Sequence, residues 1–232
     1  MNAQSLLVGA VRFGFTLAPV DVSVLRQTFG VRSRLFPLRL GSTAVDPVRF
    51  AALAKAVDEA LERRGLSADG WLNPSVSAGF ELLAEHRVAV SITGAPGDLT
   101  VLAVSDDERA MTITQQSDEE LRCELFPAAE LVATVVAALP PAPAAEPPAG
   151  PDRIAAEPAE QSEPRLGGGL MVASGRGRHG RWSDMLGWVD TARGRRLVRT
   201  TSDRSGNFAA RYTPAGRAEL IAAVTTLLTA DR

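Results

Sequence analysis

Residues 174–180, SGRGRHG, carry the spacing Gly175-x-Gly177-x-x-Gly180, with arginines at 176 and 178. Glycines so spaced can hold a phosphate, because the backbone can approach the anion and a helix starting just beyond offers unpaired N–H groups. That chemistry requires a helix after Gly180. The sequence instead runs RWSDMLGWVD, with Trp182, Leu186 and Trp188 on one side of a two-residue alternation and Asp184 between them. Such alternation predicts a strand. With neither the helix nor a βαβ unit downstream, the anion site is lost, and the stretch reads as a hairpin loop between two strands.

Other chemistry is limited by inventory. The chain has one cysteine, Cys123, and two histidines, His86 and His179. A lone cysteine makes neither an internal disulfide nor a cysteine-rich zinc site. Cys123 lies in the alternating run EELRCELF with no histidine beside it to activate a thiolate. His86 opens a strand and reads as a polar cap. No catalytic carboxylate pair, triad or metal set emerges, so no enzyme activity, metal or cofactor is expected.

Binding is the remaining chemistry. Trp182 and Trp188 read either as core or as anchors for a partner, since aromatic side chains concentrate at interface hot spots. Arg176, Arg178 and Arg181 read either as solvated cations or as a positive rim facing acidic residues of a partner. These five form the candidate partner-binding set. Asp190-Thr191-x-x-Gly194 reads as a hairpin turn in which the Asp side chain bonds its own backbone.

The elements that must position these residues belong to a globular chain. It has 232 residues, 45% apolar, with net charge −2 and mean hydropathy +0.02. That length holds one large domain or two small ones. The start MNAQSLLVGAV lacks the charged region of a signal peptide, and no stretch approaches the roughly 18 apolar residues of a membrane span; a cytoplasmic location is expected. Charge is uneven: residues 1–165 carry net −8 and residues 166–232 net +6. Such asymmetry marks an acidic partner or two halves that attract each other.

Prolines organise the helices, because Pro at the first helical position sacrifices no hydrogen bond. Helices are predicted from Pro19, from Pro47 after an Asp46 cap, from Pro74 after Asn73, from Pro127 and from Pro214. Strand-like runs cover Val11 to Leu17 and Leu35 to Leu40. From His86 the period becomes two, and HRVAVSIT, LTVLAVS, RAMTITQ and ELRCELF predict a four-strand antiparallel meander. A second meander follows from GGGLMVASG, WSDMLGWVDT, GRRLVRTTS and NFAARY. Between them, residues 140–164 are rich in Pro, Ala and Glu and poor in bulk, which predicts a flexible linker where proteolysis cuts first.

The second meander repeats the first. AELVATVVAAL (129–139) and AELIAAVTTLL (218–228) share six of eleven residues, each after a strand and a proline. Units that each expose an apolar sheet face bury it by association. The predicted fold is α+β and pseudo-two-fold, with a central antiparallel sheet formed by two repeated meander-helix units and packed helices. Residues 1–139 form its first half and 165–232 its second.

The stretch GGGLMVASGRGRHGRWSDMLGWVDTARGRRLV, with its Gly-Gly run, Arg-rich loop and Trp188-x-Asp190-Thr191-x-x-Gly194-Arg195, resembles the C-terminal half of the EspG family of ESX, or type VII, secretion-associated proteins of actinobacteria. FTLAPVDVSVLRQTFGV and the later Phe-Pro-x-x-x-Leu helix are similar to its N-terminal half. The resemblance implies a quasi-two-fold α/β fold and a cytosolic chaperone that binds the tip of PE–PPE heterodimers, keeps them soluble and delivers them to the secretion machinery. The expected partner is thus a PE–PPE-like helical protein, with the ESX machinery beyond it, and neither nucleic acid nor membrane insertion. Expected contacts lie on an open sheet face and the terminal helix, with Gly175 to Arg181 as the charged rim. The alternative from residue types alone is nucleic-acid binding by the Arg- and Trp-bearing second half; the acidic pI near 5.8 opposes it.

Overall fold

In a computed structural model, residues 12–40, 46–115, 120–146, 164–177, 180–202 and 208–229 are described. The chain is mixed α+β with a large antiparallel sheet, and the described residues form five α-helices. In chain order the elements are β1 (Phe13–Leu17), α1 (Pro19–Thr28), α2 (Pro47–Arg63), β2 (Ser67–Ala68), β3 (Trp71–Leu72), α3 (Pro74–Glu85), β4 (Val88–Ala95), β5 (Leu99–Ser105), β6 (Arg109–Gln115), β7 (Leu121–Pro127), α4 (Leu131–Ala137), β8 (Arg165–Gly177), β9 (Gly180–Thr191), β10 (Gly194–Ser202), β11 (Phe208–Pro214) and α5 (Arg217–Thr229). They fall into two compact units, residues 1–89 with 100–131, and residues 90–99 with 132–232.

In the first unit the strands lie in the order β1-β7-β6-β5, all antiparallel. Helices α1 and α3 bury one face each, through Val22 and Leu25, and through Val76, Phe80 and Leu83, against Phe15, Met111, Ile113 and Leu125. Gly79 lets α3 approach the sheet: a Cβ there would stand 2.8 Å from the Met111 sulfur. Asp46 caps α2 by accepting from the Val48 and Arg49 amides, and Asn73 caps α3 by accepting from Ser75. Both satisfy donors that a helix start leaves open. Cys123 is buried in β7, where desolvation pushes its thiol up to about 12.

Two local expectations change. Leu35 to Leu40 is no strand: Pro37 has no N–H to donate, a turn closes from Leu38 N–H to Leu35 C=O, and the Gln115 side chain takes both polar groups of Arg39. The β2–β3 hairpin was not anticipated; its turn is Asp69-Gly70, both at positive φ, which suits a two-residue hairpin turn.

The second unit has the strand order β4-β8-β9-β10-β11, with antiparallel registers from β8 to β11. Helix α5 packs on β8 and β9 and buries Leu220, Val224, Leu227 and Leu228. It starts at Arg217 rather than at Pro214. Ala215 donates to the Arg195 carbonyl, which keeps the chain extended for two further residues, and the Gly216 amide is taken by Glu219 Oε2. Residues 140–146, the start of the predicted linker, run beside Arg195, whose N–H donates to the Pro143 carbonyl and whose carbonyl accepts from Ala145. Residues 147–163 lie outside the described residues.

An open sheet face as the candidate functional site

The functional candidates lie in the second unit, and the strand registers decide which face each one occupies. Directly opposed residues in an antiparallel pair project to the same side. Met171 faces Leu186, Gly169 faces Trp188, and Trp188 faces Leu197. All four side chains of that set are buried, and this is the face that α5 covers.

Trp188 shows why the glycine run of β8 reaches Gly169. Its indole lies over Gly94 and Gly169: a Cβ at Gly169 would come 2.3 Å from the ring and 2.2 Å from the Thr93 carbonyl. Trp188 is 1% exposed, and its indole N–H has no hydrogen-bond partner among the described residues. It is therefore interior. Trp182 shares that face, opposite Gly175, and is half-buried.

The covered face also holds a buried ion pair. Arg195 donates from Nε to Asp190 Oδ1 and from Nη2 to Asp190 Oδ2, each at 2.7 Å, and Nη2 also reaches the Pro140 carbonyl at 2.7 Å. The turn reading of Asp190 is corrected accordingly. Its carboxylate is engaged by a cation, and the turn is instead held by Thr191, whose hydroxyl oxygen accepts from the Arg193 amide. Gly194 follows at φ 106, with a hypothetical Cβ 2.7 Å from the Ala144 backbone, so the glycine admits both the turn and the strap of residues 140–146.

The opposite face is open. Across it Leu170 faces Gly187, Gly187 faces Val198, and Val198 faces Tyr212; Val172 faces Met185. On this side Leu170 and Met185 are 37% and 54% exposed, while Arg196, opposite Val189, is buried. Gly168 and Gly187 add no side chains, so the floor between Val189, Val198 and Tyr212 is sunken. A cavity of about 580 Å³ forms there, closed at its rim by the Ala95-Pro96 turn, Arg165 and Leu166. A bulge at Leu166 breaks the β8 register, and this residue stands 62% exposed. The sequence signal was the glycine run itself, since glycine within a strand often marks a close approach by another group.

Arg176 and Arg181 are directly opposed near the end of the β8–β9 ribbon and project to this open side, both exposed. Arg178 and His179 lie outside the described residues. The structure thus brings Arg176 and Arg181 onto the face with the cavity and puts Trp182 and Trp188 on the other one. Helix α5, expected beside the open face, covers the opposite side. Among the described residues no group of His, Cys, Asp and Glu could hold a metal ion, and no helix is long and apolar enough to cross a membrane.

An open apolar face with a sunken floor and a positive end is suited to holding another protein. Among solved structures the chain is similar to the Mycobacterium tuberculosis type VII secretion system chaperone EspG5 in complex with the PE25-PPE41 dimer, with a TM-score of 0.66 over 95% of this chain and 97% of that one, at 13% identity. At that identity the likeness shows the fold. No curated protein matches. The EspG family model matches residues 19–149 and 151–226, and the chain belongs to the EspG family.

Proposed function

We propose that this chain is a cytoplasmic chaperone of type VII secretion that binds a PE–PPE-like helical protein, keeps it soluble and presents it to the ESX machinery. The observation that carries the reading is the open apolar face of β8 to β11 with its cavity at Gly168 and Gly187. Family membership and the dimer bound by EspG5 support the choice of partner. A client tip that would aggregate through its exposed apolar side chains needs a preformed apolar surface with a charged rim. Arg176 and Arg181 supply that rim, with Arg178 between them in sequence. Trp188 serves by shaping the strand beneath.

The reading is that of a binding protein without catalysis. It is supported by the covered thiol of Cys123 and by a cavity lined by glycines and apolar side chains, with Arg165 and Tyr212 as its polar members. Nucleic-acid binding is less well supported, because stacking on aromatics and phosphate contacts from Arg need one common surface, while these tryptophans and arginines project to opposite faces. We further infer that the two halves, 1–139 and 165–232, are repeats joined through 140–164. Supporting this are the shared order of meander then helix and the six matching positions.

Co-expression with PE–PPE heterodimers tests the function. A soluble complex that stays together in size-exclusion chromatography is the expected result. Failure of every heterodimer to co-elute, with the chain itself folded, would overturn it.

A further inference from the structure

The β8–β9 ribbon carries an arrangement that strand pairing by itself disfavours. Arg176 and Arg181 are directly opposed in its register, which brings their Cβ atoms to about 5 Å of each other, and like charges so placed repel. Neither has an ion-pair partner among the described residues. Both project to the open face, eight residues along β8 from Gly168 at the floor of the cavity. At roughly 3.3 Å per residue that is about 26 Å. Between cavity and arginines the strip is apolar and then small, through Leu170, Val172 and Met185 to Ser174 and Ser183.

We propose that Arg176 and Arg181 form a two-arginine clamp for a carboxylate of the client protein, at the far end of a linear docking strip whose near end, the glycine-floored cavity, takes an apolar side chain. The inference rests on the function proposed above and adds the chemistry and spacing of the partner. Two planar guanidiniums side by side can grip one carboxylate from both edges with charge-assisted hydrogen bonds, which relieves their mutual repulsion. Approach of the carboxylate therefore does more than an isolated surface ion pair would. The strip length sets the register: on a helix rising 1.5 Å per residue with 3.6 residues per turn, the apolar anchor and the carboxylate stand about 18 residues, or five turns, apart on one face. A protein carboxylate is favoured over phosphate because an apolar strip leads to the clamp.

The test has two arms. In the first, association with a PE–PPE heterodimer is followed by stopped flow for wild type, R176Q/R181Q and V198R. The expected result is that R176Q/R181Q associates at least tenfold more slowly at low salt and loses most of the salt dependence, whereas V198R fails to hold the complex. Loss with V198R together with an unchanged rate and salt response for R176Q/R181Q would overturn the clamp and leave the chaperone reading standing. If no heterodimer binds wild type, the chaperone reading falls and the second arm decides. There, Arg176 and Arg181 Nε–Hε resonances are titrated with a helical peptide bearing leucine and glutamate about 18 residues apart on one face, with the same peptide carrying glutamine, with inorganic phosphate and with an oligothymidine. Saturable shifts of both resonances by the glutamate peptide, lost in either single Arg→Gln variant, support the clamp. Equal or tighter response to the glutamine peptide, to phosphate or to the oligonucleotide overturns it.

Discussion

Arg195 forks onto Asp190 through two 2.7 Å hydrogen bonds, with both side chains buried and with the Pro140 carbonyl as a third acceptor. The pair sits where β9 turns into β10, and it fixes the strap of residues 140–146 against the strand. Removing one charge leaves the other desolvated. Arg195→Ala is expected to destabilise the protein by about 3–5 kcal/mol in chemical denaturation, whereas Asp190→Leu/Arg195→Met costs less because no charge stays unpaired. A double variant less stable than the single one would show that the pair contributes through something other than its charges.

Gly169 is held open by Trp188. Gly169→Ala puts a methyl group within 2.3 Å of the indole and 2.2 Å of the Thr93 carbonyl, and overpacking of this kind costs about 1–3 kcal/mol. A lowered Tm accompanied by a shift in Trp188 emission is expected. The corresponding change at Gly14, where a Cβ would meet nothing nearer than the Cys123 carbonyl at 3.9 Å, should leave the emission unchanged.

Much of this fold was legible because helix starts and alternation are local signals. Asp46-Pro47 and Asn73-Pro74 announced α2 and α3; Asp46 caps as read, and the Asn73 side chain caps as well. The eight strands of the two meanders follow from their period of two. What local signals could not supply was the choice of face. On β8 and β9 both sides are apolar, Leu170, Val172 and Met185 against Met171, Leu186 and Trp188, and only the packing of α5 decides which set is covered. Leu35 to Leu40 misled for a related reason: its apolar residues suit a strand, but its polar backbone groups go to a turn and to Gln115. Asp190 found its partner five residues away across a turn, where a short-range turn rule pointed to its own backbone.

Asp106 gives a pH dependence of defined sign. Burial alone would raise its pKa, but the Arg109 and Glu108 amides and the Arg109 charge outweigh that and lower it. A carboxylate whose folded pKa is depressed contributes stability above its unfolded value, about 3.9, and that contribution is lost as pH falls through the folded value. Asp106→Asn should therefore flatten the stability profile below pH 4 and lower stability at neutral pH. An unchanged acid limb in the variant would assign that limb to other groups.

Cys123 should be chemically silent. At 2% exposure and with its thiol pushed up to about 12, it offers almost no thiolate at neutral pH. Reaction with a disulfide reagent is expected only at the rate of unfolding, rising with denaturant along the unfolding curve. Fast native-state labelling would mean that β7 opens locally.

The cavity at Gly168 and Gly187 should carry most of the client's residence time. Apolar centres set dissociation, while charged rims set encounter and salt dependence. Val198 stands in the wall, half-exposed, between Gly187 and Tyr212 in the sheet register. Val198→Arg puts a long cation into that space, and it can keep its charge in water by pointing outward, so the fold is expected to survive with Tm nearly unchanged. Loss of a buried interface centre costs about 2–4 kcal/mol, which predicts dissociation from a PE–PPE heterodimer faster by a factor of roughly thirty or more. Met185→Ala, further along the strip and outside the cavity wall, should change the off-rate several-fold at most. Equal off-rates for wild type and Val198→Arg would move the docking centre away from the cavity.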